Sequence, residues 1–468
     1  MFVKRLIIML ATTVVLLGTG SFPLCAREGK ATGAQQTEDF CIATARKRIV
    51  MARGEKLSPA GTRHFLQGTV CDGLRYSTEI RKSQAEAEAS RFDVEKVKGE
   101  RYPQVRLSTS SPLAGRSGGQ SRGHFKDTVT TLTATTTLYD FGTRNSRILG
   151  GEESAAAAEV NVRLSRNQIT GEIVTLIAAI DQYQRMLNVA HRYEDRMKHL
   201  TGMLEEITRA DPGRHSELVQ ARSRMLQAQT HIRQLASNQE EALLRLHRLT
   251  GKEMTPETVQ MPALDWGSLP DIPLTEVMKN LDDHPELEIS RAKMRAAMHE
   301  ADAAKSSLLP SVNWTVSRDI DRTNSDEWYT GLNLEWELFT GGSASASVSA
   351  TSQRAQAAKM DYETDLHERQ YAIRELARNR ETSLQKAREY QLLSRENEKI
   401  REMYFEQWYN LGTRTLLDVL SAENDYFTSN ISQIENEFAA WTSNINMMTE
   451  SSELLPWLSF YRESDTWD

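Results

Sequence analysis

The sequence predicts a mainly α-helical chain with a small β part, built as two copies of one unit. Three observations predict it. Apolar residues step by three and four over stretches far longer than an ordinary globular helix. Four short stretches alternate apolar and polar side chains with period two. The landmarks of the first half also recur about 200 positions later in the second. Leu138-Tyr139 and Gly142 stand against Leu338-Phe339 and Gly342, Asp211-Pro212-Gly213 against Leu411-Gly412, and Arg101-Tyr102-Pro103 against Leu308-Leu309-Pro310. Each half therefore reads helix, strand, strand, long helix, tip, helix.

Composition agrees. Of 468 residues, 39% are hydrophobic and 26% charged, which suits extended helices better than one thick globule. The net charge of −7 is spread along the chain and gives a nucleic acid nothing to bind.

Met1–Ala26 reads as a secretory signal peptide. Lys4 and Arg5 precede the apolar run Leu6–Leu17, and Leu24-Cys25-Ala26 offers a cleavage site. The run is too short for a membrane anchor. Lipidation at Cys25 is the alternative, against which the large Leu24 argues. Residues 27–74 form a polar leader followed by a mixed segment without clear pattern. An exported chain with two remaining cysteines pairs them, so Cys41 and Cys71 are expected to form a disulfide.

The first repeat is assigned to residues 75–250. A helix runs from Arg75 to Gly99 and is stopped by Gly99 and Pro103. A β-hairpin follows at 104–138, with a Gly, Ser and Arg-rich loop inside it. The helix from Thr143 to Thr208 carries its seam on Ile169, Ile173, Leu176, Ile180, Leu187, Leu200 and Leu204. The tip lies near 209–216, and the returning seam runs from Leu218 to Leu249 with Gln239 on it. The proline-rich stretch 251–275 is a connector.

The second repeat is assigned to 276–455. His284-Pro285-Glu286-Leu287 opens its first helix, and a β-hairpin spans 311–338. A long helix starts near Ser343 and ends at a tip near 409–415, where Gly412 can adopt the left-handed conformation and Thr413 or Thr415 can cap the next helix. The last seam runs through Leu420, Asn424, Phe427, Ile431 and Phe438. Residues 456–468 form a polar tail.

The strand patterns allow two readings: surface hairpins on a helical protein, or membrane strands with Trp314, Leu332, Leu334 and Trp336 facing lipid and Asn333 and Glu335 facing a lumen. Four strands cannot close a barrel, and open edges are not viable in lipid, so the membrane reading demands that several chains share one barrel.

Three motifs carry a resemblance. Tyr409-x-x-Gly412-Thr413-Arg414-Thr415-x-x-Asp418-Val419-Leu420 resembles the second periplasmic hairpin tip of TolC-family outer-membrane channels. Leu138-Tyr139-Asp140-Phe141-Gly142 and Trp336-Glu337-Leu338-Phe339-Thr340-Gly341-Gly342 resemble that family's two strand-to-helix junctions. The resemblance spans roughly Leu74 to Leu455. It implies a homotrimer, with four strands per chain in a shared 12-stranded barrel and a coiled-coil helical tunnel across the periplasm. It further implies an outer-membrane location, a periplasmic adaptor and an inner-membrane transporter as partners, and passive conduction without cofactor. The motifs resemble members serving type I protein secretion slightly more than multidrug efflux members. Tyr409, Arg414 and Asp418 match the family's gate positions. Ser421 stands where the family often has a second acid, and the first tip departs from the second. The alternative for Arg414 and Asp418 is plain capping and solvation of a helix start.

No nucleophile elbow, phosphate-binding loop, dinucleotide fingerprint or zinc-protease motif occurs. His191, Asp195 and His199 share one helix face, where they read as a solvated polar stripe rather than metal ligands. An enzyme is not expected. A periplasmic coiled-coil scaffold would share the heptads but has no use for exposed Trp314 and Trp336.

Overall fold

The computed structural model describes residues 57–110, 115–117, 120–122, 129–252, 263–321 and 327–459. The expected signal peptide, Cys25 and Cys41 lie outside these residues, as do most of the leader, the middle of the connector and the end of the tail.

A helix precedes the expected start of the first repeat. Helix α1 (Pro59–Tyr76) occupies the end of the segment that showed no clear pattern, and the expected boundary at 74/75 falls inside it. Its hydrophobic residues are few, but Leu66 and Val70 are fully buried. The break before α2 (Thr78–Gly99) comes at Ser77, whose hydroxyl accepts from Ile80 N and caps the new helix. Gly73 packs so closely on Ile173 that a Cβ there would lie 2.2 Å from Ile173 Cδ1.

Strands β1 (Gln104–Ser110) and β4 (Val129–Tyr139) pair antiparallel. Two short strands, β2 (Gly115–Ser117) and β3 (Gln120–Arg122), pair with each other inside what the sequence presented as a loop. Helix α3 (Thr143–Ala210) follows, 68 residues long and so about 100 Å at the usual rise. A 3-10 turn at Pro212–Arg214 leads into α4 (His215–Thr250). The second repeat contains α5 (Leu274–Lys279), α6 (Pro285–Ser306), β5 (Ser311–Asp321), β6 (Glu327–Glu335), α7 (Ser343–Tyr409), α8 (Leu416–Glu450) and α9 (Leu454–Ser459). No described helix is long and apolar enough to cross a membrane.

The four long strands form one antiparallel sheet in the order β1-β4-β5-β6, with the two repeats joined at β4 and β5. Cross-strand partners share a face. One face carries Val105, Ala134, Val316 and, further along, Thr136, Trp314 and Leu332, then Val312 and Leu334. The other carries Arg106, Thr133, Ser317, Thr135, Thr315, Asn313 and Asn333. The polar face bonds to itself: Thr131 donates to Asp319 Oδ1 at 2.7 Å and Asn333 to Thr315 Oγ1 at 3.3 Å. Strand β6 stops at Glu335, not at Leu338, because Trp336 turns its indole N–H to Leu308 O (3.1 Å) and leaves the ladder.

The largest core is a belt near the middle of the long helices. Ile173, Val174, Ile177 and Ile180 of α3 meet Leu243 and Leu246 of α4, Ile445 and Met448 of α8, and Leu66 and Val70 of α1. Two segments dismissed from sequence join it. Trp266, in the connector, is 1% exposed and donates from Nε1 to Asp181 Oδ2 at 2.7 Å. Leu454 and Leu458 of α9, which continues into the expected tail, are fully buried. Cys71 is buried in the same region and is disulfide-bonded, while its expected partner Cys41 lies outside the described residues. In contrast, α7 presents Tyr371, Leu392, Leu393 and Met403 to the surface of the single chain.

Candidate functional site at the junctions and tips

The strand-to-helix junctions are built alike in both repeats. Backbone φ is positive at Phe141 and Gly142, and again at Gly341 and Gly342. Such angles suit glycine, which explains three of the four positions; Phe141 adopts one at φ 50° and sets its ring edge-on against Tyr139, 4.7 Å between centroids. Leu138, Leu338 and Phe339 are exposed. The first junction has an arginine clamp. Arg144 donates to Asp140 Oδ2 (2.7 Å), Glu100 O (2.8 Å) and Thr137 O (2.7 Å), tying the ends of α2 and β4 to the start of α3. The equivalent position in the second repeat is Ala344, whose N–H takes Thr340 Oγ1.

At the other end of the helices lie the two tips. Gly412 has φ 61°, as its position requires, and Thr415 rather than Thr413 is the cap. Asp418 and Thr415 form a reciprocal capping box: Thr415 N and Oγ1 donate to Asp418 Oδ2 (3.1 and 2.9 Å), and Asp418 N donates to Thr415 Oγ1 (3.3 Å). The backbone bond from Thr415, then its hydroxyl, hold the Asp418 carboxyl below the ordinary carboxylate range, with Arg414 adding to the effect. Arg414 donates to Gln407 Oε1 (3.2 Å) and lies 4.3 Å over the Tyr404 ring. Tyr409 is exposed and stacks on Phe405. The three expected gate residues thus sit on one tip, but within the single chain every named contact of theirs stays on their own hairpin.

The contacts that cross between hairpins come from residues the sequence reading passed over. Arg214 of the first tip lies 5.8 Å over the Trp408 ring. Arg196 of α3 donates to Glu423 of α8 at 2.7 Å. The seam of α8 therefore runs Val419, Glu423, Phe427, with Glu423 fully buried where Asn424 was expected and is only half-buried. An acid four residues from an apolar seam position on each side was the available signal.

His191, Asp195 and His199 form no site: among the described residues no group of three His, Cys, Asp or Glu side chains could hold a metal ion. His191 instead lies 3.8 Å from Glu194 on its own helix.

Comparison with known proteins bears on this arrangement. Residues 74–252 and 278–449 match the family described as outer membrane efflux protein. BepC of Brucella suis, an outer membrane efflux protein, is 23% identical over 329 residues, which is 64% of this chain and 66% of that one. AprF of Pseudomonas aeruginosa, an alkaline protease secretion protein, is 21% identical over 333 residues, 66% and 67% of the two chains. The chain thus spans about two thirds of the length of these relatives. Among solved structures, the outer membrane protein VceC of Vibrio cholerae superposes with a TM-score of 0.72 at 15% identity, covering 84% of this chain and 98% of that one.

Proposed function

Because the chain belongs to the outer membrane efflux protein family, we propose that it is the outer-membrane exit duct of a tripartite export system. Three copies share one barrel, and their helices form a tunnel through the periplasm. An inner-membrane transporter supplies the energy, and a periplasmic adaptor joins the two. The observation that carries this reading is the sheet: four strands with one apolar face and two unpaired edges, at the end of helices about 100 Å long. Leu332, Leu334, Trp314 and Trp336 face lipid in this arrangement, and Asn333 faces the lumen. The exposed apolar side chains of α7 support neighbouring copies along the tunnel.

The tips close the duct at rest. Tyr409, Arg414 and Asp418 are the gate residues in this reading, with Asp418 repeated by symmetry as an acidic ring that favours cations. Type I protein secretion is the preferred cargo class, supported by the similarity to AprF; multidrug efflux is the second, supported by BepC. Deleting the gene and comparing the secreted proteins with drug susceptibility separates the two. Loss of a secreted protein with unchanged susceptibility is expected, and the reverse pattern would overturn the preference. Purified chain that inserts into bilayers as a stable monomer would sink the shared barrel.

A further inference from the structure

The cross-strand pairs sort the charged residues of the sheet by face. Arg106, Asp319 and Glu335 all fall on the polar face. Among the described residues of the other face, one is charged. Arg318 pairs with Leu132 on one side and Trp328 on the other, and Leu132 pairs in turn with Leu107. The row across the sheet therefore reads Leu107, Leu132, Arg318, Trp328, and all four side chains are exposed in the single chain. A neighbouring copy cannot cover the arginine, because β5 is an inner strand and copies can join only through the edges β1 and β6. What covers Arg318 is whatever surrounds the closed barrel.

A cation on a lipid-facing strand is penalised most at the middle of the bilayer and little near its edge. Arg318 is the eighth of the eleven residues of β5. It lies roughly 23 Å along the strand from its helix end, towards the far edge of an apolar band about 25 Å tall. Trp328 stands beside it, as an indole does where hydrocarbon meets headgroups. An arginine at that depth reaches phosphate. Its planar fork of N–H donors matches two phosphate oxygens, and such charge-assisted bonds are strong against an apolar wall. Arg318 has a contact within its own chain, and five donors leave room for a second partner. We propose that Arg318 and Trp328 form a docking point for the phosphate of an anionic lipid in the leaflet farther from the helices, one per chain. This rests on the reading of that face as the lipid-facing side of a shared barrel.

The test is lipid retention by the purified full-length protein. The assembled protein is placed in vesicles of phosphatidylcholine with a minor fraction of phosphatidic acid, extracted in mild detergent, washed, and weighed with its bound lipid by native mass spectrometry. The parent should carry phosphatidic acid enriched several-fold over its share of the vesicle. Arg318→Gln should bring the ratio down to that share. Arg318→Lys, a point charge without the fork, should lie between the two and serves if the Gln variant fails to assemble. Trp328→Leu should weaken retention less than Arg318→Gln does. Arg106→Gln, on the opposite face, should leave it unchanged. Equal enrichment in the parent and in Arg318→Gln overturns the proposal, and so does a loss in Arg106→Gln as large as that in Arg318→Gln. Inorganic phosphate added during the wash separates the ion from the lipid: if it displaces the bound lipid at millimolar concentration, the site takes free phosphate and the assignment to a lipid falls. A chain that never enters the vesicles would instead remove the shared-barrel reading itself, and this inference with it.

Discussion

Acidification should weaken the helical belt through His284. This histidine is the N-cap of α6: its Nδ1 accepts from Glu286 N at 3.1 Å, and the side chain is almost fully buried. Nε2 lies 3.8 Å from Glu450, which, like Glu286, is paired with Arg369 of α7. Burial, and secondly the Arg369 charge, lower the His284 pKa from 6.5 to about 4. A histidine whose folded pKa is depressed takes up its proton in the unfolded chain first. Its contribution is therefore fully present above about pH 6.5 and is lost as pH falls towards 4. The shift corresponds to about 3 kcal/mol across that window. The measurement is denaturant unfolding of the purified protein at pH 7.5, 5.5 and 4.5, compared with His284→Asn. Asparagine can still cap the helix but does not titrate. The carboxylates around the site are common to both proteins, so the difference between the two pH profiles isolates His284. The parent should lose stability relative to the variant as pH falls. Parallel profiles would refute both the burial argument and the neutral state assigned to this side chain.

Other outcomes follow from the sheet, the junction and the tip. Leu334→Arg, on the apolar face opposite Val312, should cost about 2–4 kcal/mol if it lies near mid-bilayer, whereas Asn333→Arg, one residue along on the polar face, should be tolerated; equal assembly yields for the two would refute the assignment of faces. Arg144→Ala removes three charge-assisted bonds at the first junction and should destabilise it by about 2–4 kcal/mol, seen as faster hydrogen exchange at the start of α3, while Ala344→Arg in the second repeat should bring no matching gain. Asp418→Asn keeps an acceptor for Thr415 but removes the charge, so cation preference in single-channel recordings should fall while helix α8 remains capped; unchanged selectivity would leave Asp418 a capping residue alone. Arg414→Ser with Tyr409→Phe should raise conductance, and an unchanged value would place the closing contacts elsewhere.

Much of the architecture was legible because it rests on repetition. Heptad steps located the long helices, period-two alternation located β1, β4, β5 and β6, and the 200-residue offset aligned Gly142 with Gly342, both of which adopt the left-handed conformation. What escaped was fixed by single contacts between distant residues. Nothing near Trp266 announces that Asp181, 85 positions away, accepts its indole N–H and draws a proline-rich connector into the core. Helix α1 has no strong apolar stripe, since Leu66, Val70 and Cys71 are its only buried hydrophobic residues. At the tip, Arg414 and Asp418 were readable from their motif. Their bonding was not, because Thr415 and Gln407 compete for them locally and win over any more distant partner in the single chain. Glu423 was missed because a charged residue beside a seam is ordinarily solvated; only the geometry of Arg196 shows that it is not.

The strand order has a consequence for how such a barrel is born. Because β1 and β6 are the outer strands and the repeats meet at β4 and β5, every chain ends in two bare rows of backbone N–H and C=O groups. Joining two copies leaves two bare rows where the separate chains had four, and only the copy that closes the ring removes the last two. A partial ring therefore still carries two bare rows, and its exposed backbone is costly in lipid. Insertion and association must be a single concerted event, with the chains gathered by their helices in the aqueous compartment before any strand enters the membrane. A pulse of newly exported chain should accordingly pass from soluble or loosely bound material straight to the closed ring, with no membrane-embedded dimer along the way.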